Sequence, residues 1–373
     1  MAHVSLSIGS LRTVLAKIAS PKLLFYALPW LMVLLTAGTI AQKELGLYTA
    51  QHTYFSSVLF WLGPVPLPGG LSTLAVITLS LACKFLFFSP WHISRAGTIM
   101  THFGILLLMI GGLFTAATQK EGFIQLREGE TTQSISDYHQ RALFIRKNDE
   151  PWASIPFETI IAGQPLPAGN LPFQISVLET CVNCLPSFTS APEGRKGFAQ
   201  KVELLQKPPE KENEANMSGL TFSLKGATQD QDGVYIAVEE IPLHPAIQAD
   251  KDTYSFVMGR AQETLPFSIT LENFKRDLHP GTDMARGFSS EIQVKDGDLT
   301  WPFVIRMNEP MRYRGYTFYQ SSFSIRPDGE FSILSVVQNK GRIFPYISSA
   351  IIFIGLLTHI IVRNRHKIQK AGQ

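Results

Sequence analysis

Charge is scarce in this sequence, and so is cysteine. Only 17% of the 373 residues are charged, and 33 basic against 30 acidic side chains leave a net charge of +3, too small to point to nucleic acid as a partner. Of the three cysteines, Cys83 stands alone, and Cys181 and Cys184 form one CxxC with no second pair to complete a zinc site. No nucleophile triad, glycine-rich phosphate loop or pair of catalytic carboxylates stands out. No enzyme chemistry can therefore be assigned from motifs.

What is present is apolar: 45% hydrophobic residues together with only 17% charged and a mean hydropathy of +0.09 make the chain too apolar for an ordinary soluble protein and too polar for one that is all membrane. Four runs, about 23–41, 71–88, 96–118 and 344–362, are long and apolar enough for transmembrane helices, three near the N-terminus and one near the C-terminus. Arg12, Lys17 and Lys22 precede the first; Lys84 and Arg95 lie around the junction of the second and third; Arg363, Arg365, Lys367 and Lys370 follow the fourth. Beyond the first run stands only Lys43, next to Glu44. The positive-inside rule puts both termini in the cytoplasm, with the block 119–343 on the opposite side. The first run is too long for a cleaved signal peptide and is expected to stay as an anchor. Ahead of it, 1–22 is a basic segment in which Leu11, Val14, Leu15 and Ile18 have helical spacing over 4–18, as in a helix lying on the membrane surface. The connection 42–70 is an outer aromatic loop too short to cross, suited to the interface, with Pro64, Pro66 and Pro68 ending any helix. A basic tail, 363–373, closes the chain.

The block 119–343 has the texture of β structure. Stretches such as "GFIQL", "ALFIRK", "LTFSLKG", "VYIAVEE" and "WPFVIRMN" gather β-branched and aromatic residues between turn residues, about eleven strands with no long helix. The expectation is a large mainly-β extracytoplasmic domain built as a sandwich or paired sheets. "LPFQISVLET" from Leu171 echoes "LPFSITLENF" from Leu265, a hint of two related β units, with the charged stretch 206–219 expected as a flexible loop between them.

Two histidines lie inside apolar runs. His102 is about six residues into the third, roughly 9 Å along a helix axis, and His359 is close to the end of the fourth, which runs the opposite way. Helical spacing aligns Thr98, His102, Ile105, Met109 and Gly112 on one face, and Ser348, Ile352, Gly355 and His359 on the other. Small residues there let helices approach or leave room for a flat ligand. Each imidazole either ligates haem iron or bridges helices by hydrogen bonds, and His359 has the further option of snorkelling to the headgroups. His52, His92, His139, His244 and His279 read as surface or turn residues. Cys181 and Cys184, on the oxidising side, read first as a local structural disulfide and second as a redox pair. Cys83 is a small apolar residue of its helix.

The order of three spans, a large outer β domain and a closing span resembles the ResB-like cytochrome c biogenesis proteins of system II. The stretches "THFGILLLMIGG" (101–112), "EGFIQLREGE" (121–130), "RGFSSEIQVKDGD" (286–298) and "MNEPMRYRGYTFYQSSF" (307–323) carry the likeness, which covers nearly the whole chain and is weakest over 181–217. The resemblance implies a multi-pass protein of the cytoplasmic membrane that holds or transports haem b. Its implied partner is a CcsA-type membrane subunit bearing a tryptophan-rich haem-binding loop; Trp30, Trp61, Trp91, Trp152 and Trp301 are scattered here and make no such loop. It further implies His102 as an axial ligand of the haem iron, with a second ligand on the partner, whereas His359 as second ligand has no such support. Apocytochrome c on the outer face would be the recipient and thiol-reducing proteins further partners, this chain being a non-catalytic or partial subunit of a haem-lyase complex. The competing expectation is a membrane-anchored β-domain scaffold or thiol exchanger without haem.

The charge asymmetry sets a first test. A reporter fused after Gln119 or within 206–219 is expected to read as external, and one after Val362 as cytoplasmic; the reverse pattern removes the assigned topology.

Overall fold

In a computed structural model of the protein the described residues are 8–189, 193–228, 230–282, 284–327 and 329–371, with side chains described between 11 and 364. The chain separates into two compact units, Met1–Lys120 with Asn339–Gln373, and Glu121–Gln338. The first is helical, the second almost entirely β.

Helix α1 (Ile8–Ile18) is the described part of the expected surface helix; residues 4–7 lie outside the described residues. Ser20 caps the next helix, its hydroxyl accepting from the Lys22 amide, and Pro21 takes the first helical position, where its missing N–H goes unnoticed. Helix α2 (Pro21–Leu45) runs beyond the expected span until Gly46, at φ 78°, breaks it. The expected loop 42–70 is thus largely structured: α2 absorbs its start, and a short helix α3 (Leu47–Ala50) and a wider helical turn (Gln51–Phe55) follow. This return is held by the Phe55 ring, which fills the space left by Gly38 of α2. An antiparallel hairpin, β1 (Leu59–Leu62) and β2 (Val65–Pro68), then leads into α4 (Gly70–Phe88). Helices α5 (Ala96–Thr118) and α6 (Phe344–Ala371) complete the unit; α6 continues as far as Ala371 into the stretch expected as a separate tail, whose last two residues lie outside the described residues. Four of these helices, Pro21–Leu45, Gly70–Phe88, Ile93–Thr118 and Phe344–Asn364, are long and apolar enough to cross a membrane. α4 packs on α2 and on α5, and α5 packs most closely on α6.

The β unit has strands β3 (Lys120–Arg127), β4 (Thr131–Lys147), β5 (Glu150–Pro156), β6 (Gln174–Cys181), β7 (Cys184–Phe188), β8 (Val202–Gln206), β9 (Gly219–Lys225) and β10 (Gly233–Val238). After these come β11 (Ala246–Ala249), β12 (Asp252–Leu278), β13 (Ala285–Asp296), β14 (Leu299–Arg306), β15 (Met311–Tyr313), β16 (Tyr316–Arg326) and β17 (Gly329–Gln338). Ten of them make one sheet in the order β14-β13-β12-β4-β3-β17-β16-β15, with β11 on β12 and β5 on β4; β10-β9-β6 form a second sheet and β7-β8 a ribbon.

Two large cores result, and they are nested. One is built from the middle of the unit: the β6-β9-β10 sheet packs on β5, β11 and the facing ends of β4 and β12, with Phe222 5.3 Å from Phe256 and Phe173 5.3 Å from Tyr254. The other draws on both ends of the unit, where the large sheet curls so that β13 and β14 meet β15–β17 around Phe267 and Phe318. Strands β4 and β12 are long because they run through both. The stretch 206–219 is therefore not a connector between halves; the crossings are made by β4 and β12, and β9 returns to the same sheet as β6.

The sequence echo has a structural counterpart. Phe173, just ahead of β6, and Ile175 and Val177 within it are buried, and a bulge at Leu178 separates Val177 from Glu179 in the register with β9. In β12, Phe267, Ile269 and Leu271 are buried and a bulge at Glu272 separates Leu271 from Asn273 in the register with β13. Ile175 faces Leu224 as Ile269 faces Val294, and β9 and β13 each continue into a hairpin partner, β10 and β14.

Where β4 passes from one core to the other, Arg141 is buried opposite Arg260 of β12. Its Nε donates to Glu239 at 3.2 Å, Nη1 to the carbonyls of Tyr138 and His139, and Nη2 to those of Asn213, Glu214 and Asn216. Arg260 also reaches Glu239, at 3.6 Å, and burial followed by the neighbouring Arg141 charge holds its pKa below the ordinary guanidinium value, with Glu239 pulling the other way. The charged stretch expected as a flexible loop is thus tied by its carbonyls to a buried guanidinium, while Asn183 Nδ2 holds Pro208 O at 2.7 Å. Arg141→Ala strands Glu239 beside one cation and several unpaired carbonyls. It is expected to destabilise the β unit by about 3–5 kcal/mol and to open 206–217 to protease, read by urea titration and limited proteolysis of the full chain in detergent.

Candidate functional site

The α5–α6 contact begins with glycine. Gly97, Gly104 and Gly111 recur every seven residues and all three are buried. A Cβ on Gly97 would overlap the His359 amide and lie 2.6 Å from Gly355 O; one on Gly104 would lie 2.6 Å from Ile352 Cγ1; one on Gly111 would overlap the Phe344 side chain. The face expected for close approach, ending at Gly112, is a neighbouring one: a Cβ at Gly112 meets nothing within 4 Å. The reason is geometric, since a seven-residue repeat drifts only about 20° per heptad and keeps a nearly straight track of missing side chains along the crossing. On α6 the expected face does make the contact, through Ser348, Ile352, Gly355 and His359.

This packing carries His102 and His359 to the same end of the helix pair, where one residue joins them. Thr98 O lies 2.7 Å from His102 Nδ1, and Thr98 Oγ1 lies 3.2 Å from His359 Nδ1. A carbonyl only accepts, so Nδ1 of the His102 ring is the donor; in the neutral ring that leaves the lone pair on Nε2, which has no partner among the described residues. His102 is half-buried and His359 exposed on its helix. A neutral imidazole whose Nδ1–H is held by a carbonyl is the donor chemistry that haem iron takes, and the fixed tautomer is what an outer hydrogen bond contributes to a ligand. Along the same face of α5 follow Ile105, Met109 and the open edge at Gly112, apolar lining for a flat ligand.

Cys181 and Cys184 lie in the β unit and are disulfide-bonded, with Cα atoms 5.5 Å apart. Both are buried in a small core with Ala199, Ile236 and Val238. A sulfur enclosed in this way is poorly placed for an attacking thiolate. Cys83 is a buried free thiol of α4. His139, read as a surface residue, is half-buried with Nδ1 3.1 Å from Asn213 Oδ1.

Two sequence stretches singled out for their likeness also meet. Ser290 of the first donates to Gln320 Oε1 of the second at 2.6 Å, and both bond Ser332 in a buried knot. Asp296 of the first takes the Tyr313 hydroxyl and Arg314 Nε of the second, each at 2.6 Å. These residues hold β13 against β15 and β16. Residues 245–333, which contain both stretches, match the model of the ResB-like family. The chain is also 22% identical over 268 residues to Protein NrfI of Wolinella succinogenes, an alignment covering 70% of this chain and 27% of that one. The chain thus spans about a quarter of the length of that curated relative.

Sequence reasoning missed the role of Thr98 and the track of Gly97, Gly104 and Gly111. The seven-residue spacing was visible, but nothing in it named α6 as the partner. For the cysteines, replacing both by serine is expected to lower stability by about 2 kcal/mol, because the chain-entropy gain of so short a loop is small. A thermal melt of the full chain with and without reductant checks it.

Proposed function

We propose that this chain is a ResB-like haem-handling subunit for cytochrome c biogenesis, and that His102 is an axial ligand of a haem b held against α5. The carrying observation is the hydrogen bond from His102 Nδ1 to Thr98 O, which leaves Nε2 free and fixed in direction. Haem is here the cargo: bound, it supplies an iron that accepts imidazole nitrogen and a porphyrin that fills an apolar slot. This chain's own contribution is to hold one imidazole in the correct tautomer, to offer the Ile105–Met109–Gly112 face, and to keep the helix pair closed through its glycine track. His359 is the weaker ligand candidate, since its Nδ1 is engaged by a side-chain hydroxyl and its ring is exposed. The second axial ligand, the tryptophan-rich loop and the attachment to apocytochrome c are assigned to a CcsA-type partner in the cytoplasmic membrane, with both termini of this chain inside and its β unit outside. The buried disulfide favours a structural role for Cys181 and Cys184 over thiol exchange.

His102→Ala is expected to lower the haem content of the purified complex and block cytochrome c maturation while membrane insertion stays normal, with partial recovery in added imidazole. His359→Ala is expected to have a smaller effect. Full haem content and an unchanged absorption spectrum in the His102 variant would make this histidine a helix-packing residue.

A further inference from the structure

Between Glu44 and Lys84 the chain has no Asp, Glu, Lys or Arg, and the β1–β2 hairpin lies in the middle of that stretch. Gly63 at φ 61° followed by Pro64 makes the two-residue turn, with the positive φ that a type II′ turn asks of its first central residue. Leu62 pairs with Val65, Trp61 with Pro66, Phe60 with Leu67 and Leu59 with Pro68. In an antiparallel ladder closed by a two-residue turn, hydrogen-bonded and non-hydrogen-bonded pairs alternate, starting from the hydrogen-bonded pair at the turn. Positions 66 and 68 therefore fall where a backbone N–H would point outward, and both are proline. The outer edge of β2 carries no unpaired donor at either place.

That pattern narrows what the hairpin faces. Outward donors are harmless in water and useful to an added protein strand, but in hydrocarbon each unsatisfied one costs several kcal/mol. Proline at both positions removes that penalty and also blocks strand addition to this edge. The side chains agree: Phe60 is buried with its ring 5.0 Å from that of Tyr54, while Leu59, Trp61, Leu62 and Val65 are each more than half exposed. The hairpin is continuous with an apolar helix, because Trp30 Nε1 of α2 donates to Pro68 O at 3.0 Å, an outward-pointing carbonyl of the same edge. Exposed Phe25, Tyr26, Met32 and Val33 of α2 extend the apolar surface.

We infer that the β1–β2 hairpin is a lipid-inserted anchor, its Leu59, Trp61, Leu62 and Val65 side chains seated among acyl chains beside α2. The inference is independent of haem. Trp61 is a native probe: the full chain and its Trp61→Phe variant, reconstituted in phosphatidylcholine vesicles with and without brominated acyl chains, give the Trp61 fluorescence by difference. The expected result is loss of most of that difference signal with brominated lipid and little loss with aqueous iodide. Quenching by iodide but not by brominated lipid overturns the inference. So does a photo-crosslinker at Leu62 that yields a dimer of this chain in place of a lipid adduct, which would make the hairpin a protein contact.

Discussion

The pairing of β12 with β4 is the constraint on which the β unit depends. Each strand crosses from one core to the other, so a slip of one residue would turn the buried sets of both cores outward together. The register is interrupted at the crossing, after Arg260 opposite Arg141, and the extra residues of β4 there are turned by Asp137, whose Oδ1 accepts from the amides of His139 and Gln140. Arg141 then satisfies carbonyls that this interruption and the 206–217 segment leave without ladder partners. A buried cation with six acceptors is costly to desolvate, and its use at one point of the unit marks where hydrophobic packing alone does not set the geometry.

The helical unit answers to a different constraint. Lipid gives no hydrophobic push between helices, so α5 and α6 associate by close backbone approach, which the three glycines permit. That approach is also what places two imidazoles on one threonine. His359 touches Gly97 through its backbone and Thr98 through its ring, while Thr98 turns its carbonyl to His102. The candidate site is thus a product of helix packing, with no loop contributing to it.

The repeated strand–bulge–hairpin arrangement in the two cores accounts for a unit of this size holding together around long strands. Each arrangement supplies three alternate buried apolar positions on or immediately ahead of its strand and a bulge just after them, at Leu178 and at Glu272. The two arrangements keep different company: the first faces the ends of β4 and β12, the second the curled sheet of β15–β17.

By itself the sequence determined what local chemistry determines. Apolar length marked the four long helices within a few residues, alternation and turn residues marked most strands, and isolation in an apolar run marked His102 and His359. It also carried the echo at Leu171 and Leu265. Strands β5, β7, β8, β11 and β15 were not legible, being short and defined by their partners. The 206–219 stretch read as flexible because its charge and prolines describe its surface, whereas its order comes from Arg141, some 65 residues or more away in sequence. Only the tertiary structure decided that β4 and β12 each serve two cores, that Gly97, Gly104 and Gly111 rather than Gly112 face α6, and that Thr98 joins the two histidines. Each of these depends on which distant segment arrives opposite, and no local pattern encodes that.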